Sequence, residues 1–175
     1  MKKLLAVAAL LALAGFGCAK PAEDPTAAFT QTYQNAQYGF SFRHPENVDV
    51  RVREDENRKD TYVGKDADFF ISIRDLKRVG ETAPINLAYV YAFPKMTPAQ
   101  FKQAFLETNP DAAVKDLAPV TLNGVSLQRM VNTTQIGDDK IHYLWEKADG
   151  TLVVFSVFIG EEPNLKPILQ TLSVQ

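Results

Sequence analysis

Apolar side chains fall on every second residue along much of this chain. Phe40 and Phe42 flank Ser41, Val48, Val50 and Val52 alternate with Asp49, Arg51 and Arg53, and Phe69, Ile71 and Ile73 alternate with Phe70, Ser72 and Arg74. A strand sends successive side chains to opposite faces, so this spacing predicts strands with one buried face. The stretch NLAYVYAF, residues 86–93, is apolar on both faces and predicts an interior strand covered on both sides. The second half reads as hairpins. Asn123-Gly124 between VTL and VSLQRMV is a tight-turn signal. Gly137-Asp138-Asp139 and Asp149-Gly150 mark two further reversals around KIHYLWEK and TLVVFSVFI.

Two helices interrupt this pattern. Thr97 is a good N-cap, Pro98 suits the first helical position, and Gln100 completes a capping box. Phe101, Ala104 and Phe105 then share one face, and Asn109-Pro110 ends the helix. Near the end, Leu165, Ile168, Leu169 and Leu172 fall at i, i+3, i+4 and i+7, a stripe expected to pack on the sheet. Pro167 is expected in the first turn, the place where a helix tolerates it. The expected fold class is α+β, a mostly antiparallel sheet with helices packed on its faces.

The start of the chain gives an address. Lys2 and Lys3 precede an uncharged apolar segment from Leu4 to Phe16. As a helix that segment is about 20 Å long, against the roughly 30 Å of a bilayer core. It has the size of a secretory signal rather than of a membrane span. It leads through Gly15-Phe16-Gly17 to Cys18, the only cysteine in the chain. This resembles the lipobox of bacterial lipoproteins, with Gly15 where an aliphatic residue is usual. The resemblance implies that residues 1–17 are a signal peptide. It also implies that Cys18 is multiply acylated, with palmitate-like chains, and becomes the new N-terminus. A lone free thiol in an oxidising compartment can pair between molecules. A thioether to lipid removes that hazard, and several acyl chains make the anchor durable. Ala19 after the cysteine points to the outer membrane by the sorting habit of Gram-negative lipoproteins. Residues 18–30, with Pro21 and Pro25 among small and charged residues, read as a flexible tether of roughly 40 Å when extended. Residues 31–175 have the size of one domain.

Loss of Lys2 and Lys3 leaves 17 basic against 21 acidic residues, a net charge of −4. Nucleic acid is not an expected partner, because it requires a basic footprint. The same balance argues against a polybasic membrane-surface helix.

The order Tyr33, Tyr38-Gly39-Phe40-Ser41-Phe42, Pro45, together with a long apolar hairpin and a closing ILQTLSV, resembles PsbP-like domains over most of residues 31–175. Where that family usually carries a Gly-Trp pair, this chain has Asn47-Val48, and its single tryptophan is Trp145. The resemblance implies a three-layer sandwich of sheet and helix, no intrinsic catalysis in most members, and work as an accessory to larger assemblies.

Signatures of chemistry are sparse. There is no G-x-S-x-G elbow, no Gly-rich phosphate loop and no zinc-type Cys/His spacing, so neither an enzyme nor a bound cofactor or metal is expected. His44, in RHPE beside Glu46, reads as a turn residue. His142 reads as a half-buried strand residue sharing a face with Leu144 and Glu146. The run REDENRKD lacks the spacing of a calcium loop and reads as solvated. Asp138, Asp139 and Asp149 lie at opposite ends of one predicted strand. Tyr89, Tyr91 and Phe93 share a face of one strand, Tyr143 and Trp145 a face of another. Most of these rings should be core, and any that is exposed would form a docking surface. The expected function is a lipid-anchored, non-enzymatic binding or assembly accessory facing the periplasm, with a protein partner. Two alternatives stand beside it: a carrier of a small ligand or ion, and a hydrolase built around His44 or His142.

Overall fold

The computed structural model describes residues 24–53, 59–60, 63–77, 82–134 and 139–174. Cys18, the apolar segment before it, most of the REDENRKD run and Asp138 lie outside the described residues. Twelve strands and two helices follow in order: β1 (Gln31–Asn35), β2 (Phe40–His44), β3 (Val48–Val52), β4 (Lys59–Asp60), β5 (Lys65–Asp66), β6 (Phe69–Asp75), β7 (Ile85–Phe93), α1 (Pro98–Thr108), β8 (Ala113–Leu122), β9 (Val125–Thr133), β10 (Lys140–Glu146), β11 (Leu152–Phe158), α2 (Glu162–Leu169) and β12 (Ser173–Val174). Every strand pairing among the described residues is antiparallel.

Seven strands form one large sheet in the order β3-β6-β7-β11-β10-β9-β8, and β1-β2-β12 form a small one. The α1 helix covers one face of the large sheet. The small sheet and α2 cover the other. The period-two alternation sorts the side chains between these two faces. Along β10, Ile141, Tyr143 and Trp145 enter the core shared with the small sheet and α2, which also takes Phe40, Phe42, Leu165 and Ile168. Leu144 enters the core beneath α1, with Phe93, Phe101, Phe105 and Val154. Both faces are covered, so β10 and β11 are buried along nearly their whole length.

Local chemistry sets the punctuation. Asn123 and Gly124 both adopt positive φ, 47° and 82°, as a type I′ hairpin turn requires. The Asn123 side-chain amide donates to the Leu172 carbonyl at 2.9 Å and ties the hairpin tip to the C-terminal segment. At α1 the capping box is formed. The Gln100 amide N–H donates to Thr97 Oγ1 at 3.3 Å, and the Thr97 N–H donates to Gln100 Oε1 at 2.8 Å. Thr97→Ala removes one of these partners and lowers stability by about 1 kcal/mol, read as a fall in the urea midpoint at unchanged slope. An unchanged midpoint would show that solvent replaces the cap at no cost.

The C-terminal helix departs from the expected reading. It begins at Glu162, with Pro163 as its helix-starting proline, so Pro167 lies inside the helix rather than in its first turn. Pro167 has no N–H to give the preceding turn, and the helix stops two residues later. Leu172 is fully buried, but it reaches the core from the turn after the helix. Tyr143 pins α2 to the sheet. Its hydroxyl donates to Glu162 Oε1 at 2.6 Å, and burial followed by the Glu162 carboxylate pushes the phenol well above its usual range.

The packed part of the chain begins before residue 31. Asp24 accepts at 2.8 Å from the Thr26 N–H and at 2.8 Å from the Thr26 hydroxyl. Arg43 Nη2 on β2 donates to Thr26 Oγ1 at 3.2 Å. Phe29 packs half-buried against the larger core.

Candidate functional site

Polar side chains gather on the α1 side of the large sheet. The strand registers place Arg51, Ser72, Tyr89, Ser156, His142, Met130 and Asp116 in one row across all seven strands. Ser72, Ser156 and His142 are 0%, 3% and 2% exposed. A buried polar group needs a partner, since an unmade hydrogen bond costs about 1–3 kcal/mol.

His142 has two. Its Nδ1 lies 2.9 Å from Ser156 Oγ and its Nε2 lies 2.7 Å from Asn132 Oδ1. With Nε2–H donating to the amide oxygen, Nδ1 accepts from the serine hydroxyl, and a neutral imidazole satisfies both contacts. Phe101 and Phe105 of α1 close over the ring at 5.5 and 5.9 Å between centroids. Burial first, and the nearby Lys140 cation second, push the imidazole down to about 3. His142 is therefore fully buried, not half-buried, because α1 seats its two phenyl rings on it.

The arrangement has the residue types of a nucleophile–base pair without the means to act as one. Asn132 stands where a carboxylate would stabilise an imidazolium, and the Ser156 side chain is buried away from solvent beside the covered imidazole. His44 is also buried, and its Nδ1 donates to the Pro45 carbonyl at 3.1 Å. Among the described residues neither histidine has both the carboxylate and the hydroxyl that the hydrolase alternative requires. Asp139 and Asp149 stand at opposite ends of β10, as expected. Among the described residues no group of three His, Cys, Asp or Glu side chains is placed to hold a metal ion, and no helix is long and apolar enough to cross a membrane.

Beyond the reach of α1 the same face becomes aromatic. Phe70 and Tyr91 stack at 4.9 Å with their planes 6° apart. Tyr89 touches Phe70 at 5.5 Å and Phe158 at 5.7 Å. Tyr91 is buried, while Phe70, Tyr89 and Phe158 are half-buried. Two cations sit against its rings, Arg53 half-buried and Lys140 buried. The Arg53 guanidinium lies 5.8 Å from the Phe70 centroid and Lys140 Nζ lies 4.8 Å from that of Phe158. The grouping of Tyr89, Tyr91 and Phe93 on one face was legible in the alternation. The contributions of Phe70 and Phe158 were not, because the pairing of β6 and β11 with β7 decides them.

A second feature on this side is a groove of about 600 Å³ between the start of α1 and the β8–β9 hairpin. Pro98, Leu117, Pro119, Met130 and Leu144 give it apolar walls. Lys102 of α1 pairs with Asp116 of β8 at 2.7 Å beside it.

An antiparallel sheet covered by one helix on one face, and by a small sheet and a second helix on the other, defines a PsbP-like fold. The solution structure of cyanobacterial PsbP (CyanoP) from Synechocystis sp. PCC 6803 matches it with a TM-score of 0.53 at 13% sequence identity, over 85% of this chain and 94% of that one. No family model matches the chain, and no curated protein matches it in sequence.

Proposed function

We propose that this protein is a lipid-anchored accessory or assembly module of a bacterial envelope. It is held through acylated Cys18, faces the periplasm, and works by binding a protein partner rather than by catalysis. In a Gram-negative cell the anchor lies in the outer membrane. The observation that carries the reading is the half-buried platform of Phe70, Tyr89 and Phe158 with the half-buried Arg53 guanidinium beside it. Tyrosine and arginine are the side chains that most often dominate a protein interface. The chemically capable groups on the same face are sealed beneath α1, which supports binding over turnover. The PsbP-like fold supports the same reading.

Light crosslinking of whole cells, recovery of the tagged protein from membranes and mass spectrometry test this proposal. Wild type should capture a recurrent partner. Cys18→Ser should lose both the membrane and the partner. Tyr89→Ala should stay anchored but capture on the order of tenfold less, the effect of losing an interface tyrosine worth more than ~1 kcal/mol. Equal capture by wild type and Tyr89→Ala would remove the platform from the proposal.

The groove favours a second reading, a carrier of a small ligand. Its volume lies within the roughly 300–1,000 Å³ of small-molecule sites, and apolar walls with a few polar groups suit such a site. A co-purifying small molecule, lost on Met130→Trp, would support that reading over the first.

A further inference from the structure

We infer that the domain rides close to the bilayer in one orientation, with its α2 layer against the lipid headgroups and the α1 face, platform and groove turned away. This rests on the proposed acylation of Cys18 and deepens it by naming the surface that meets the membrane. Chain length sets the orientation. The segment expected to be a tether is docked through the Arg43–Thr26 bond and the half-burial of Phe29, and the Asp24–Thr26 turn extends the ordered part back to Asp24. Pro25 and Phe29 line a small cavity with Pro45, Pro163, Pro167 and Ile168, so the docking site is the edge where the β2–β3 turn meets α2.

Only the links from Cys18 to Asp24 remain to reach the membrane. Six of them span at most roughly 20 Å. A domain of this length has a radius of gyration of about 15 Å and is roughly 40 Å across. A leash half that width cannot pass around the molecule to bring the α1 face down to the lipid. The large sheet stands between the two faces, so the docking edge is held towards the headgroups and the aromatic platform is left open to the periplasm. The occupant of the α2 edge is thus the bilayer in which the protein is itself anchored.

The acylated protein in phosphatidylcholine vesicles containing nitroxide-headgroup lipid tests this. The thioether at Cys18 leaves no free thiol, so a single new cysteine carries a fluorophore, either at exposed Asn164 on α2 or at exposed Gln103 on α1. The Asn164→Cys label should be quenched several-fold more strongly than the Gln103→Cys label. Twelve Gly/Ser residues inserted after Glu23 add a coil of roughly 20 Å and should bring the two labels close to equal. Equal quenching without the insertion overturns the orientation. A protein that fails to enter the vesicles overturns the anchor, and the orientation with it. Asymmetric quenching in a protein that captures no partner in cells leaves the orientation standing and removes the accessory role.

Discussion

Phe40→Ala should destabilise the domain by about 3–5 kcal/mol, the range for truncating a buried phenylalanine. Phe40 is 0% exposed and lies where the two sheets meet. Its ring meets Phe155 at 6.1 Å and Trp145 at 6.5 Å in the large sheet, and Phe42 at 6.4 Å and Tyr33 at 6.2 Å in the small one. Its backbone pairs with Asn35 on one side and Val174 on the other. Removing the phenyl group leaves a cavity with rigid sheet on both sides, so little collapse can fill it. Urea unfolding at constant slope measures the loss. Val52→Ala, at a 42% exposed position on an edge strand, should change stability by less than about 0.5 kcal/mol. A Phe40→Ala loss below about 1 kcal/mol would mean that the two sheets close over the gap.

The second large effect is on acid stability. His142 is held near 3 in the folded chain against 6.5 for an exposed imidazole. Above pH 6.5 it is neutral in both states and its titration costs nothing. Below pH 6.5 the unfolded chain takes up a proton that the folded chain refuses, so stability falls by about 1.4 kcal/mol per pH unit until about pH 3. Between pH 7 and pH 4 the loss from this one residue is about 3 kcal/mol. His142→Gln keeps hydrogen-bonding capacity but does not titrate. The variant starts less stable at pH 7, and its deficit relative to wild type should shrink by about 3 kcal/mol by pH 4. Carboxylates common to both proteins cancel in that difference. Parallel stability–pH curves would mean that water reaches the imidazole and that α1 is not its lid.

Local signals were sufficient where the interaction itself is local. The alternation at residues 40–42, 48–52 and 69–73 marks β2, β3 and β6, and apolarity on both faces marks β7 as interior. The Thr97/Gln100 box and the Asn123-Gly124 turn involve partners within three residues, and both stand as their chemistry requires. The first half of β8 carries no such signal. It is an edge strand with Lys115 and Asp116 among mostly exposed residues, and pairing with β9 alone makes it a strand. The same holds for β12, two residues that pair with β2, more than 120 residues earlier in the chain.

The candidate site divides in the same way. Alternation put Tyr89, Tyr91 and Phe93 on one face of β7 and His142 with Leu144 on one face of β10. It could not put Ser156 opposite His142 or Phe70 opposite Tyr91, because those neighbours come from separate strands. Nor could it show that Phe29 and Thr26 dock. A stretch of small residues and prolines is a poor core former by itself and becomes fixed only when β2 and α2 offer it a surface.

By itself, then, the sequence determined the strand periodicity, the hairpin tip, the α1 cap and the α+β class, each written in residues a few positions apart. Tertiary structure alone decided the order of the seven strands, the sealing of His142 beneath Phe101 and Phe105, the half-exposure of the aromatic platform and the docking of the segment from Asp24. Those depend on contacts between residues far apart in the chain, whose closure cost is repaid only when a whole apolar face is buried at once.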